Sequence, residues 1–355
     1  MAETLMATAD LRGTILVQND VDEVLHELSV GGPVLDIAMG MQQETPHLVA
    51  IVRTEGTYSM QAWNLNSGQA LFSEKQAVLT GQDCEVSLFA PVQLLKRGQW
   101  LYSITQNTDY SLGLRRLDSG TGKPMETLSL PGGIALDDVR TIGMVASGHE
   151  LYAGASNGVV YKWNLGEIAE SNAPRKEIWL PSYRYTARRP FGAPCLAQRE
   201  NGDIYATDAT GALHYICGDE LVRTVYANDQ QSFYRNIAVG RTAQGQEVLA
   251  TVRESGSVGR ASLLSVLPAE VADLAESLLD IPSIREKGKQ RAVHSRTVDI
   301  ADLQGERCVL SGGSDGFLYA WRLPENPEQR RKPDIIYDRP GRTAVHAMAV
   351  LSVGA

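Results

Sequence analysis

His294, Ser311 and Asp315 follow one another in the last quarter of the chain. They are the residue types of a nucleophilic triad, in which an imidazole takes the proton of an attacking hydroxyl. The pattern G-x-S-x-G also occurs twice, as GASNG around Ser156 and GGSDG around Ser314. A nucleophile elbow needs a strand before that turn and a helix after it. Here VVYKWNL follows one copy and FLYAWRL the other. Both are short runs of strand type, so each Ser-containing pattern reads as a hairpin turn. No Walker sequence is present.

Metal chemistry finds no better footing in the spacing. His26, His47, His149, His214, His294 and His346 are scattered, with no H-x-x-x-H pair. Cys84, Cys195, Cys217 and Cys308 form no C-x-x-C and read as small core residues in a reducing compartment. The expectation is therefore no catalytic residue, no metal and no cofactor.

The elements that position these residues come from a repeat. GASNGVVYKWNL (154–165) and GGSDGFLYAWRL (312–323) are near copies, and Trp63, Trp163 and Trp321 fit a unit of about 50 residues. Degenerate copies lie around Leu114, His214 and Leu264. The last copy divides into RTVDIADL, ERCVLSGG, GFLYAWRL and DIIYD, separated by turn formers such as Gly305, Asp315-Gly316 and Pro324. Four short antiparallel strands per unit, repeated radially, describe a propeller blade. Units run roughly over 33–80, 86–130, 138–180, 194–230, 236–268 and 294–340. Three strands within 5–30, joined by the C-terminal AVHAMAVLSVG, would make one more. The prediction is an all-β, seven-bladed propeller of four-stranded antiparallel blades, one domain over 1–355, closed by pairing of its N- and C-terminal strands.

SDGFLYAWRL and SNGVVYKWNL resemble the WD40 repeat. That resemblance implies a structural network in which His294, Ser311, Asp315 and Trp321 hold a blade together, with Trp163 and Trp63 as the anchors of two others. Asn or Arg follows each tryptophan where the family has Asp, and LDSGTGKPMETL also resembles quinoprotein-like propellers. The WD40 resemblance implies a non-enzymatic scaffold or recognition subunit of a larger assembly. The quinoprotein resemblance implies a quinone-dependent dehydrogenase or small-ligand binder at the central channel, although the adjacent cysteine pair of many such enzymes is missing.

Two segments fall outside the blade rhythm. LPSYRYTARRPFGAP (180–194) gathers Tyr183, Arg184, Tyr185, Arg188 and Arg189, of the types enriched at binding hot spots. The insertion 268–296 places Val271, Leu274 and Leu278 at i, i+3 and i+7, which predicts an amphipathic helix over 269–280 ended by Pro282. Five basic residues, Lys287, Lys289 and Arg291 among them, follow against the single acid Glu286. Both segments are expected to dock other proteins, the second one a partner with an acidic surface. A net charge of −9 weighs against nucleic acid or an anionic membrane as partner. The acidic start MAETLMATADLRG lacks the apolar core of a signal peptide, and a cytoplasmic protein is expected.

Overall fold

The computed structural model describes residues 3–54, 57–78, 93–97, 100–106, 112–118, 120–121, 123–128, 142–147, 149–155, 158–167, 174–180, 195–207, 212–226, 232–242, 244–255, 262–268, 277–279, 283–286, 289–293, 295–323, 332–338 and 343–353. Strands β1 (Glu3–Ala9), β2 (Thr14–Asn19) and β3 (Val24–Ser29) open the chain. Blade 2 follows as β4 (Val34–Gln42), β5 (Thr45–Thr54), β6 (Thr57–Asn64) and β7 (Ala70–Val78). Blade 3 is β8 (Gln93–Arg97), β9 (Trp100–Gln106), β10 (Leu112–Asp118) and β11 (Pro124–Leu128). Blade 4 is β12 (Ile142–Ser147), β13 (Glu150–Ala155), β14 (Val159–Asn164) and β15 (Lys176–Trp179). Blade 5 comprises β16 (Leu196–Gln198), β17 (Ile204–Thr207), β18 (Ala212–Cys217) and β19 (Glu220–Tyr226).

Blade 6 is β20 (Ser232–Arg241), β21 (Glu247–Ser255), β22 (Ser262–Pro268) and β23 (Ser277–Leu279). A separate hairpin, β24 (Ser283–Glu286) and β25 (Lys289–Ala292), precedes blade 7. Blade 7 is β26 (Ser295–Leu303), β27 (Glu306–Gly313), β28 (Leu318–Arg322) and β29 (Ile335–Tyr337). The last strand, β30 (Ala347–Val353), pairs antiparallel with β1 from Glu3↔Val353 to Ala9↔Ala347 and completes blade 1.

The described residues thus form seven four-stranded antiparallel sheets and the one hairpin. The innermost strands touch in a closed order: β30, β4, β8, β12, β16, β20, β26 and back to β30. This is a β-propeller. Closure leaves no innermost strand as a free edge, which removes a template for aggregation.

The core lies in the seams between blades. Ile37, Met39, Leu48 and Trp63 of blade 2 pack on Ala7, Ile15 and Val17 of blade 1. Val298, Val309 and Trp321 of blade 7 pack in the same way on Val248, Ala250 and Val252 of blade 6. The three tryptophans occupy one register position: Trp63 lies opposite Leu48, Trp163 opposite Leu151 and Trp321 opposite Val309. All three are buried. Each therefore removes a large apolar surface from water at a seam, the main driving force available to such a ring. The turns before two of them need a left-handed residue, and Gly158 (φ 80°) and Gly316 (φ 88°) supply it without a Cβ clash.

The helix expected over 269–280 is corrected. Ser277–Leu279 is strand β23, with Leu264↔Leu279, Ser265↔Leu278 and Val266↔Ser277, and no helix occurs among the described residues. Residues 269–276 lie outside them. Three apolar residues at helical spacing fit a 3.6-residue stripe, but a partner edge outweighs so short a stripe. The free side of β22 offers backbone hydrogen bonds to whatever segment follows.

Candidate functional site

Tyr183, Arg184, Tyr185, Arg188, Arg189 and Lys287 lie outside the described residues. Lys289 and Arg291 stand on β25, at the register positions opposite Glu286 and Ile284. The basic run is therefore carried on a hairpin.

His294 also lies outside the described residues, and the other three members of the expected blade network make separate contacts. The Ser311 hydroxyl donates to the Thr297 carbonyl at 2.8 Å and bonds the Ser295 hydroxyl. Asp315 accepts from the Tyr319 hydroxyl and from the Phe317 N–H. Burial, with Asp315 beside it, raises the Tyr319 phenol well above its usual range. Trp321 stacks tilted against Tyr319 at 6.0 Å, and its buried indole N–H has no hydrogen-bond partner among the described residues. The Ser311–Asp315–Trp321 set is a packing arrangement in which Tyr319 stands between the acid and the indole.

Two polar clasps join neighbouring blades. Lys162 on β14 is 5% exposed and lies 2.6 Å from both Glu150 on β13 and Asp219 in the β18–β19 turn of blade 5. Burial pulls its ammonium pKa down, and its bonds to Asp219, Glu150 and Tyr152 overcome that and hold it above the ordinary value. Arg199 reaches from blade 5 to Glu247 of blade 6 at 2.5 Å and to the Tyr215 hydroxyl at 3.0 Å. Tyr215 in turn donates to Asp203. Burial pushes the Asp203 carboxyl up, and the bonds from Tyr215, Cys217 and Asn201 bring it below its ordinary range. Every charge in these clasps has a partner, so they act as fasteners.

The rim differs. Strand alternation buries Ile178 and turns Trp179 outward, leaving it 57% exposed on the outermost strand of blade 4. Strand β19 of blade 5 touches β15, and Val222 on it is 59% exposed. Val222 is the extra residue of a β-bulge, between the pairs Ile216↔Leu221 and Tyr215↔Arg223. A bulge re-aims a side chain out of the ladder. Arg175, Lys176, Glu177 and Arg223 are exposed around this apolar pair. An exposed tryptophan and an exposed valine on touching rim strands, with exposed charges on the same strands, are suited to protein contact and offer no bond-making chemistry. The segment KEIWL reads as a strand from sequence, and its alternation already places Ile178 and Trp179 on opposite sides. Whether either side meets water depends on the neighbouring blade.

Among the described residues no three His, Cys, Asp or Glu side chains gather as a metal set. Cys195 and Cys308 are at least partly buried, whereas Cys217, expected in a core, is exposed at the end of β18.

No family model matches the chain, and no curated protein matches it. Solved structures do. A protein from Lactobacillus plantarum superposes with a TM-score of 0.64 at 11% identity, covering 99% of this chain and 100% of that one. BBS1N, in a complex with ARL6DN, gives 0.58 at 11% identity over 91% of this chain and 89% of its own. Hydrazine synthase from Kuenenia stuttgartiensis gives 0.55 at 11% identity, with coverages of 82% and 76%. The expectation that such a ring does no catalysis is corrected by the last of these, since the same architecture occurs in an enzyme. At these identities the likeness shows the fold: the chain is similar to β-propellers found both in protein complexes and in enzymes.

Proposed function

We propose that this chain is a seven-bladed, WD40-like propeller serving as a recognition or scaffold subunit of a larger cytoplasmic assembly, with the rim over blades 4 and 5 as a docking surface. The observation that carries this reading is that Trp179 and Val222, on two touching outermost strands, are both more than half exposed. Leaving a tryptophan in water forgoes about 1.5–3 kcal/mol of burial. Partner contact recovers that stabilisation. A closed ring holds the two strands in fixed relation, so little ordering is needed on contact. BBS1N, of the same fold, is found in complex with another protein. The basic run of Lys287, Lys289 and Arg291, the last two on hairpin strand β25, is a second candidate surface, suited to an acidic partner.

Affinity capture from native lysate tests this with the intact chain, a Trp179→Ser/Val222→Ser variant and a Lys287→Glu/Lys289→Glu/Arg291→Glu variant. Loss of a captured protein by one variant, at unchanged melting temperature, assigns that surface. Identical captures by all three would sink the reading. A second reading, a small-ligand or catalytic site on the ring axis, draws on the shared architecture with hydrazine synthase. A ligand-induced rise in melting temperature, unaffected by both sets of substitutions, would bring it forward.

A further inference from the structure

The two ends of the chain meet inside blade 1, where β1 pairs with β30, and β30 follows directly on blade 7 in sequence, so the seam between blades 7 and 1 lies beside the non-covalent closure of the ring. Ala301, Leu303, Leu310 and Tyr337 of blade 7 pack there with Met6, Met348 and Val350 of blade 1. Hydrogen bonds cross the same seam from Thr4 to the Asp302 carbonyl, from Gln304 to Asp20 and from Tyr337 to the Asp20 carbonyl.

A carboxylate, partly buried, stands on the blade 7 side of this joint. On β26, Val298 and Ile300 face blade 6, whereas Ala301 and Leu303 face blade 1. Alternation along the strand puts Asp299 on the blade 1 side. The register makes the position unusual. Asp299 lies two residues after the bulge at Ser295/Thr297, and Ala38 and Ala238 lie two residues after the matching bulges in β4 and β20. A charged group thus replaces the alanine that two other blades use. Among the described residues its hydrogen bond is from the adjacent Ile300 N–H, at 2.8 Å, and no cation pairs with it there.

The strands packed on β26 offer little to answer that charge. Strands β30 and β22 carry no titratable residue, and β1 carries only Glu3, exposed at its start. Strand β27 has Glu306, Arg307 and Cys308, β20 has Tyr234, Arg235 and Arg241, β21 has Glu247, Arg253 and Glu254, and β26 itself has Arg296 and Asp302. Arg307 is engaged by Asp302, and Glu247 by Arg199. Burial pushes the Asp299 carboxyl up to about 6, against the opposing Ile300 N–H bond. At the outer end of the seam a second strain of the same sign exists. Asp22 of blade 1 is raised by burial and then by Asp338 of blade 7.

We propose that the blade 7–blade 1 seam is a proton-sensitive closure: with Asp299 neutral it packs as an apolar joint, and with Asp299 charged it is the weakest joint of the ring. The device lets mild acidification tighten this seam and neutral pH loosen it, next to the β1–β30 pairing that joins the two ends of the chain.

Amide hydrogen exchange on the intact chain at pH 5 and pH 7.5, corrected for the intrinsic pH dependence of exchange, reads this directly. In the natural chain, residues 295–303 and 347–353 are expected to gain about tenfold or more protection at pH 5, while 47–54 of blade 2 does not change. Asp299→Asn, and separately Asp299→Ala as in the other two blades, are expected to show the higher protection at both pH values. Equal pH dependence in the natural chain and both variants would overturn the proposal, as would a natural chain whose seam protection ignores pH.

Discussion

Replacing Asp299 by Asn should stabilise the protein at neutral pH, and the size of the gain follows from the structure. In the folded state burial raises this carboxyl from an ordinary value of 3.8 to about 6. The displacement is about 2 pH units, and at about 1.4 kcal/mol per unit it corresponds to about 3 kcal/mol. The sign is that of an acid whose proton is held more tightly when folded. Below pH 3.8 the group is neutral in both states and costs nothing. As pH rises from there the unfolded chain loses the proton first, and stability falls until the folded carboxyl has also ionised, near pH 6. Above that the cost is constant. Urea unfolding of the natural chain and Asp299→Asn at pH 3.5, 5, 6 and 7.5 measures it. The variant should be more stable by up to about 3 kcal/mol at pH 7.5, the gap shrinking below pH 6 and closing near pH 3.5. A variant less stable at pH 7.5, or a gap that does not change with pH, would refute the placement of an uncompensated carboxylate in the seam.

Trp163→Ala and Trp321→Ala should each cost about 3–5 kcal/mol in the same assay, because both leave cavities in inter-blade seams. Trp321→Phe should cost only about 1–2 kcal/mol, since the indole N–H has no hydrogen bond to lose among the described residues; a loss equal to that of alanine would mean that the N–H matters. Lys162→Met should cost no more than about 3 kcal/mol, below the usual cost of breaking a buried pair. Its partners Glu150 and Asp219 keep side-chain exposures of 33% and 44% and can return to water. Trp179→Ala should leave the unfolding midpoint within about 0.5 kcal/mol of the natural chain, because the side chain faces solvent; a larger loss would show that Trp179 serves the fold.

The propeller was legible in the sequence because its signals are local. Ser-Asp-Gly and Ser-Asn-Gly fix hairpin turns through glycine, and alternation over Phe317–Leu323 and Val159–Leu165 declares strands. The return of tryptophan near a fixed period declares the repeat. Even the joining of residues 5–30 with the C-terminal strand could be read, by counting strands left over at both ends. Residues 277–279 could not. Helix or strand there depends on the open edge of β22, which belongs to another part of the chain. The same holds for function. Sequence singles out Trp63, Trp163 and Trp321, yet it gives Trp179 the same residue type without saying that it faces water. It gives Asp299 and Asp36 the same neighbours, in VDIA and LDIA, although the register places Asp299 opposite Leu310 at the level of Ala38. Local chemistry determines strands, turns and period. What lies on the far side of each strand decides whether a side chain is an anchor, a docking residue or an unanswered charge, and only the closed ring supplies that.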